Sequence, residues 1–208
     1  MQHDFKVHKE SVDLKGQPYE LETGMWARQA DGSVLLRWGN MVLMANATGA
    51  KKSGEGLDFF PMTVEYREKY YAGGRFPGGF LKRENRPSDK EILTSRVIDR
   101  PIRPLFPDNY TNEVQIFITL LSAQKNYSAD VHAITAASAA LTISGLPFDG
   151  PVAGVRIARV AGKFILFPNR DEIQAADINL ALAGTIKAVT MIEGLADEAT
   201  EEDMIAAV

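Results

Sequence analysis

The segment from Gly79 to Pro107 is the most informative part of this chain. It reads Gly79-Phe-Leu-Lys-Arg-Glu-Asn-Arg-Pro-Ser-Asp-Lys-Glu-Ile-Leu-Thr-Ser-Arg-Val-Ile-Asp-Arg-Pro-Ile-Arg-Pro-Leu-Phe-Pro107. Ser88, followed three residues later by Glu91, forms a capping box that predicts a helix from about residue 89. We expect this helix to end near Asp99, because Pro101 lacks a backbone donor and disfavours helical geometry at the residue before it. The segment therefore predicts a basic loop that leads into a helix.

Basic side chains lie on both parts of this segment. Phe80-Leu-Lys-Arg83 places an aromatic ring beside cations on a glycine-flanked loop, a combination that holds single-stranded nucleic acid without sequence readout. If helical geometry persists, three arginines farther along share one face at spacings of four and seven residues, which favours phosphate binding by guanidinium groups. Alternatively, Asp99 and Glu91 neutralise part of this charge within the fold. The candidate residues for binding nucleic acid are Phe80, Lys82, Arg83, Arg96, Arg100 and Arg103.

The charge of the chain is concentrated in this region. Residues 67–103 hold ten Lys/Arg and five Asp/Glu, whereas the rest of the chain holds 13 basic and 22 acidic residues. A basic segment on an acidic body is typical of a confined phosphate-binding site, because the remaining surface repels polyanions. A solvated charged loop and helix would give the same count. The glycine-rich residues 73–79 fit either a mobile flap or a structural loop.

Composition restricts the class of protein. A chain of 208 residues with 45% hydrophobic and 24% charged residues is globular, and the absence of cysteine excludes disulfides, thiolate zinc sites and cysteine nucleophiles. No apolar run approaches the roughly 18 residues of a membrane span, and the first residues do not form a secretory signal. We therefore expect a cytoplasmic protein with no membrane partner. The three histidines lack a metal-ligand spacing and are expected to be structural or on the surface: His3, His8 and His132.

Strand patterns surround the central segment. The first sixty residues favour β-structure, and Gly39-Asn40 predicts a tight hairpin turn. An alanine-rich helix is predicted at 130–144, ended by Gly145. A last helix is expected to begin near Asp197 and to be still running at Val208, since no Gly, Asn or Pro ends it. The predicted strands after the turn lie at 41–48, 62–66, 114–121, 152–160, 163–167, 177–183 and 187–192.

These elements predict a single α+β domain over residues 1–208, with no internal repeat or linker. Because the last helix has no stop signal, we expect the chain to be the first part of a longer polypeptide, with that helix truncated.

The Gly79–Pro107 segment closely resembles the first ribonuclease-PH-like core domain of the bacterial polynucleotide phosphorylases. The resemblance runs through essentially the whole chain and implies an α+β fold of mixed β-sheets with packed helices and a ribosomal-protein-like βαβ topology. Further segments that carry it are Asp58–Tyr66, Ala136–Leu141, Ser144–Phe148 and Ala183–Thr185.

The resemblance implies a phosphorolytic 3′-to-5′ exoribonuclease that acts in mRNA degradation. Such an enzyme converts RNA and phosphate reversibly into nucleoside diphosphates. It has two tandem core domains, requires Mg²⁺ and inorganic phosphate, and forms a homotrimeric ring through which single-stranded RNA passes. Other RNA-degradation proteins are further expected partners.

The resemblance also assigns roles to the candidate residues. Phe80–Arg83 falls on the family's Phe-Phe-Arg-Arg loop, which grips RNA at a constriction. Leu81 replaces the second Phe, and Lys82 keeps the charge but loses the bidentate fork of arginine. The three helix arginines match family arginines along the RNA path.

The same resemblance implies that the catalytic groups are absent. In the second core domain of the family, two aspartates and a lysine precede an Ala-Gly-Thr sequence. The corresponding positions here are Ile173, Asn179 and Ala181. Asp177 alone remains nearby, and Ala136–Ala140 replaces the Gly-Ser-Ser phosphate loop. Since phosphorolysis needs a positioned phosphate and a metal, we expect no catalytic or metal-binding residue in this chain, and Mg²⁺ and phosphate to bind outside it.

Two alternatives stay open at this point. One is a stand-alone ribonuclease-PH-type exoribonuclease, which would require an aspartate pair near residues 173–179. The other is a non-enzymatic RNA-binding module, which fits poorly with a helix interrupted at Val208.

Overall fold

The structure is a computed structural model that describes residues 6–54, 58–80, 82–84 and 86–208. Its helices are α1 Asp89–Ile102, α2 Asp130–Ser144, α3 Arg170–Gln174 and α4 Glu201–Ala207. Its strands are β1 His8–Leu14, β2 Gln17–Thr23, β3 Gly32–Trp38, β4 Met41–Gly49, β5 Met62–Glu68, β6 Val114–Ser122, β7 Ala153–Val160, β8 Lys163–Leu166, β9 Ile178–Gly184 and β10 Val189–Ala196.

The first six strands form one sheet in the order β1-β2-β3-β4-β6-β5. The predicted hairpin is confirmed, since Trp38 pairs with Met41 across the Gly39-Asn40 turn. β5 and β6 run parallel, and α1 lies between them in sequence. β5-α1-β6 is therefore the βαβ unit that the resemblance implied.

The last four strands form an antiparallel sheet in the order β10-β9-β7-β8. Helix α4 covers part of this sheet, and Ala207 of the helix joins a buried cluster with Ile157, Ile178, Leu180 and Leu182. With α1, α2 and both sheets in place, the predicted α+β class is confirmed.

Helix α2 packs against both sheets, contacting β3 and β4 of the first sheet and β7 of the second. Glycine permits this close approach at two positions. A Cβ on Gly32 would lie 2.0 Å from the carbonyl oxygen of Ala140, and one on Gly154 would lie 2.4 Å from that of Val131. The helix also uses small side chains on its buried positions, namely Ala133, Ala136, Ala137 and Ala140.

Helix α1 begins as predicted but ends later. Ser88 and Glu91 form both hydrogen bonds of the capping box. The expected end near Asp99 is wrong, because the helix continues to Ile102 with Pro101 inside it. Ile98 and Ile102 are fully buried, so their packing stabilises the last turn although Pro101 supplies no backbone donor.

The C-terminal part differs from the expectation in two places. Helix α3, which begins with a capping box at Asn169, was not predicted. Helix α4 begins later than predicted, since its N-cap is Thr200 rather than a residue near Asp197. The backbone N–H of Asp197 donates to the carbonyl of Asp177, which keeps the chain with the sheet at that point.

None of the helices in the described ranges combines the length and apolar character needed to cross a membrane.

Candidate nucleic-acid interface

The glycine-rich loop after the Tyr70–Gly73 turn presents aromatic rings to solvent. The side chain of Phe80 is 100% exposed and that of Phe76 is 92% exposed. Phenylalanine is usually buried, but the full exposure of Phe80 shows that its side chain does not pack in the core. The sequence analysis missed Phe76, although it shares the glycine-rich surroundings that drew attention to Phe80. Leu81, at the position of the family's second Phe, lies outside the described residues.

The basic pair beside Phe80 is free to bind an anion. Lys82 and Arg83 are exposed, and neither makes an ion pair or side-chain hydrogen bond within the described ranges. The next residue, Glu84, anchors this segment by accepting a hydrogen bond from the backbone N–H of Tyr70 at 2.7 Å and pairing with Lys69 at 3.1 Å. The Tyr70 N–H, followed by Lys69, lowers the pKa of Glu84. An ionised Glu84 therefore holds the loop to the fold.

Arg96 and Arg100 lie on α1, and Arg103 begins a short 3-10 helix, Arg103–Leu105, that directly follows it. The helical path that the one-face arrangement requires is therefore continuous, but the three side chains differ in environment. Arg96 is exposed and has no ion pair with the described residues. Arg100 donates to Glu193 of β10 at 2.7 Å, and both side chains are about half exposed. Arg96 is therefore directly available to a phosphate, whereas Arg100 must exchange its partner.

Arg103 is the most firmly held of the predicted residues. Its guanidinium donates two hydrogen bonds to Asp99, at 2.6 and 2.9 Å. It also donates to the carbonyls of Phe60 and Met62, and its Cζ lies 5.7 Å from the Phe60 ring centroid. Asp99 thus neutralises one of the three arginines. The role of Arg103 in RNA binding stays a prediction.

Glu91, the other acidic residue considered, caps the helix instead of pairing with the arginines. Its carboxylate accepts hydrogen bonds from the backbone N–H groups of Ser88 at 2.7 Å and Glu68 at 2.9 Å. Burial opposes ionisation of Glu91, but these hydrogen bonds together lower its pKa. The charges on Arg96 and Arg100 are therefore not cancelled by Glu91.

The positions that the resemblance matches to catalytic residues lie in or near a hydrogen-bonded network. Asn179 accepts a hydrogen bond from Arg156 at 2.9 Å, and Arg156 also pairs with Asp130 at 2.6 Å. Ala181 is buried in β9, and Ile173 lies on the short helix α3. The hydrogen bond from Arg156 therefore ties Asn179 of β9 to an ion pair with Asp130 of α2.

Asp177 also forms an ion pair within the fold. It pairs with Arg159 at 2.7 Å, and Arg159 binds Asp203 of α4 as well. Arg159 lowers the pKa of Asp177 and, with help from Thr200, that of Asp203 to about 2. No group of three or more His, Cys, Asp or Glu side chains in the described part of the chain is arranged to hold a metal ion. These residues do not fit the magnesium site of the family.

The proposed substitute for the phosphate loop proves to be helix. Ala136–Ala140 lies in the middle of α2, where backbone N–H groups are used by the helix and three of the alanines are fully buried. This agrees with the helix predicted at 130–144. The correspondence of this segment to the family's phosphate loop stays a prediction. A loop does precede α2, at residues 123–129.

The histidines that the structure describes have separate environments. His8 is exposed on β1, and His132 is 1% exposed among aromatic rings on α2. His3 lies outside the described residues.

Known proteins with similar sequences or structures support the fold described above. The chain matches the sequence profile described as 3′ exoribonuclease family, domain 1, over residues 15–147, and that of domain 2 over residues 150–208. The crystal structure of rice (Oryza sativa) Rrp46 is similar, with a TM-score of 0.66 at 15% identity over 97% of this chain and 85% of that one. That likeness concerns the fold alone.

Close relatives are also known. The polyribonucleotide nucleotidyltransferase of Leptospira biflexa is 55% identical over 187 residues, which cover 90% of this chain and 27% of the relative. That of Rhizobium meliloti is 50% identical over 204 residues, or 98% of this chain and 28% of the relative. The chain therefore spans little more than a quarter of the length of these relatives. Because the two family profiles together match nearly all of its residues, this chain belongs to the 3′ exoribonuclease family.

Proposed function

We propose that this chain is the first core domain of a phosphorolytic 3′-to-5′ exoribonuclease, and that it guides single-stranded RNA. The observation that carries the proposal is the loop on which fully exposed Phe80 stands beside Lys82 and Arg83, two cations that have no ion-pair partner among the described residues. A base can stack on the ring while the two cations bind neighbouring phosphates, and neither contact depends on base identity. This surface fits a processive enzyme that must accept any sequence.

The helix arginines extend this surface. Arg96 offers a free guanidinium fork that matches the geometry of a phosphate. Arg100 would exchange Glu193 for a phosphate at little cost, because exposed ion pairs contribute only about 0–1 kcal/mol. Arg103 already uses four of its five N–H donors within the fold, so we assign it the weakest direct contact of the three.

In this proposal the chemistry takes place outside the described domain. Stabilising the charge that develops in phosphorolysis requires a positioned phosphate and a metal ion, and Asn179 and Ala181 cannot supply carboxylate or ammonium groups for that purpose. Mg²⁺ and inorganic phosphate would bind a second core domain of a longer polypeptide, consistent with the share of the relatives that this chain spans. That domain would release the nucleoside diphosphates.

The proposal also covers assembly and location. A homotrimeric ring formed through core domains would bring three copies of the Phe80 loop around one channel, where several weak contacts act on one strand. The enzyme would work in the cytoplasm on messenger RNA, alongside other RNA-degradation proteins.

The test compares the 208-residue chain with its Lys82→Gln/Arg83→Gln variant. Fluorescence anisotropy of a labelled oligouridylate, measured between about 50 and 200 mM salt, should show weaker binding by the variant. The log-log salt dependence should be flatter by about 1.4, since each lost single-strand phosphate contact removes roughly 0.7. Lys163→Gln/Lys187→Gln is the matched control, because it removes the same charge from the start of β8 and from the connection between β9 and β10. An unchanged slope in the loop variant would show that the loop does not touch the RNA backbone.

A further inference from the structure

We propose that a second surface of this chain, the basic cleft, holds a further stretch of the RNA strand bound by the Phe80 loop. The cleft is a concavity of about 1020 Å³ between the end of β5, the Tyr70–Gly73 turn, the residues Arg83, Glu84, Arg86 and Ser88, and the loop after β6. This inference rests on the proposed function and extends its binding site. Six basic residues line the cleft: Arg67, Lys69, Arg75, Arg83, Arg86 and Lys125.

The carboxylates of the cleft already have partners. Glu68 binds Lys90 at 2.8 Å, Glu84 binds Lys69 at 3.1 Å, and Glu91 caps α1. Arg67 is likewise paired, with Glu65 at 2.6 Å. Six basic and three acidic residues line the cleft, so its lining keeps a net charge of +3.

Four cations of the cleft are uncompensated. Within the described ranges, no ion pair or side-chain hydrogen bond is made by Arg75, Arg83, Arg86 or Lys125. Like charges around one concavity repel each other, and an anion bound between them removes that repulsion. Three of the four are guanidinium groups, whose planar forks bind phosphate oxygens in pairs. The cleft is therefore built for a ligand with several phosphates.

Three features favour an RNA strand over a small anion. The volume lies at the upper end of the range for whole drug-sized ligands, well beyond what one phosphate ion fills. Tyr70 lines the cleft and is 47% exposed, so an aromatic face is available to a base. Arg83 belongs both to the cleft and to the Phe80 loop, so a strand leaving the loop can continue into the cleft without a break.

The test uses three variants of the 208-residue chain. Arg75→Gln/Arg86→Gln/Lys125→Gln neutralises the cleft and leaves Arg83 in place. Phe80→Ala/Lys82→Gln weakens the loop alone. The control, Lys51→Gln/Lys163→Gln/Lys187→Gln, removes three charges that line neither surface.

Binding is measured with labelled oligouridylates of about 4 and about 16 nucleotides, which bracket common single-strand site sizes. For the long oligomer, the cleft variant should lose about 2 from its log-log salt slope, as expected for three lost phosphate contacts. The short oligomer, held by the loop, should be affected much less, and the control should bind both as the unchanged chain does. A 4-thiouridine oligomer of the longer length should also cross-link to Tyr70 on irradiation.

The outcomes separate this inference from the proposed function. If the loop variant binds weakly while the cleft variant keeps the native slope, the cleft inference is overturned and the proposed function stands. If neither variant loses affinity, both fail. If the cleft variant loses only the binding of inorganic phosphate, the cleft is a small-anion site and the inference is also wrong. Should the triple variant fail to fold by circular dichroism, Arg75→Gln alone must still remove about 0.7 of slope.

Discussion

Replacing His132 with phenylalanine should make the stability of this chain less sensitive to acid. The His132 ring is buried, with centroids 4.8 Å from Trp38, 5.1 Å from Phe167 and 5.6 Å from Tyr19. Among the described residues, the ring has the Tyr19 hydroxyl as its hydrogen-bond neighbour, 3.4 Å from Nδ1. Burial lowers the pKa of His132 to about 4, against an opposing effect of Asp130. The folded protein therefore holds a neutral imidazole.

The size of the effect follows from proton linkage. In the unfolded chain the ring titrates near its model value of 6.5, so between that pH and about 4 the unfolded state binds a proton that the folded state does not. The stability that this neutral ring contributes is fully present above pH 6.5, and it is lost as the pH falls from 6.5 toward the folded pKa of about 4. From about pH 7.5 to 4.5, the free energy of unfolding should drop by about 2.5 kcal/mol through this one group.

The assay is urea unfolding followed by circular dichroism, with the native chain and His132→Phe compared at several values between about pH 7.5 and 4.5. The difference between their unfolding free energies should shift by about 2.5 kcal/mol in favour of the variant as the pH is lowered. Phe167→Leu is the control, because it removes a packing ring but keeps the imidazole. It should lower stability at every pH and retain the native pH dependence.

One result would refute this reasoning. If His132→Phe and the native chain lose stability in parallel over the whole range, the ring is not a buried neutral group. If Phe167→Leu loses stability in parallel with the native chain as the pH falls, and His132→Phe does not, the assignment is supported.

Three more outcomes are expected from the site and the packing. Phe80→Ala should weaken RNA binding by about 1–3 kcal/mol while Phe80→Tyr retains it, and a lower melting temperature with unchanged affinity would instead make Phe80 a structural residue. The purified 208-residue chain, given RNA, phosphate and Mg²⁺, should release no nucleoside diphosphates, and robust release detected by chromatography would contradict the assignment of chemistry to another domain. Gly154→Ala should destabilise the fold by about 1–3 kcal/mol or more in a thermal or urea melt, because the new Cβ meets the Val131 carbonyl 2.4 Å away. A native-like melt would show that α2 can shift.

Local signals in the sequence predicted much of the fold. The Gly39-Asn40 turn and the Ser88/Glu91 capping box depend on residues close together in the chain, and both are found as predicted. The end of α1 depends instead on tertiary packing around Ile98 and Ile102, which the proline rule does not include. α3 was missed because five residues are too few to show a helical period.

The candidate site likewise combines features that the local sequence predicted with features that depend on residues far apart in the chain. Phe80 is exposed, and Lys82 and Arg83 have no ion-pair partner in the part of the chain that the structure describes, which is what the composition of the loop suggested. The partner of Arg100 is 93 residues away in the sequence, so its ion pair could not be predicted from spacing. Lys125 joins the basic cleft from the far end of β6, outside the charged segment that the sequence made conspicuous.

The position of α2 has a consequence for how the chain folds while it is being made. All six strands of the first sheet precede α2 in the sequence, and all four strands of the second sheet follow it. When α2 leaves the ribosome, one side can pack at once, but its other apolar side stays uncovered until β7 and β9 have been translated. At about 5–20 residues per second, that interval lasts on the order of seconds. A nascent chain stalled between Gly145 and Gly184 would expose this face, which makes the interval the most aggregation-prone stage in the synthesis of the domain.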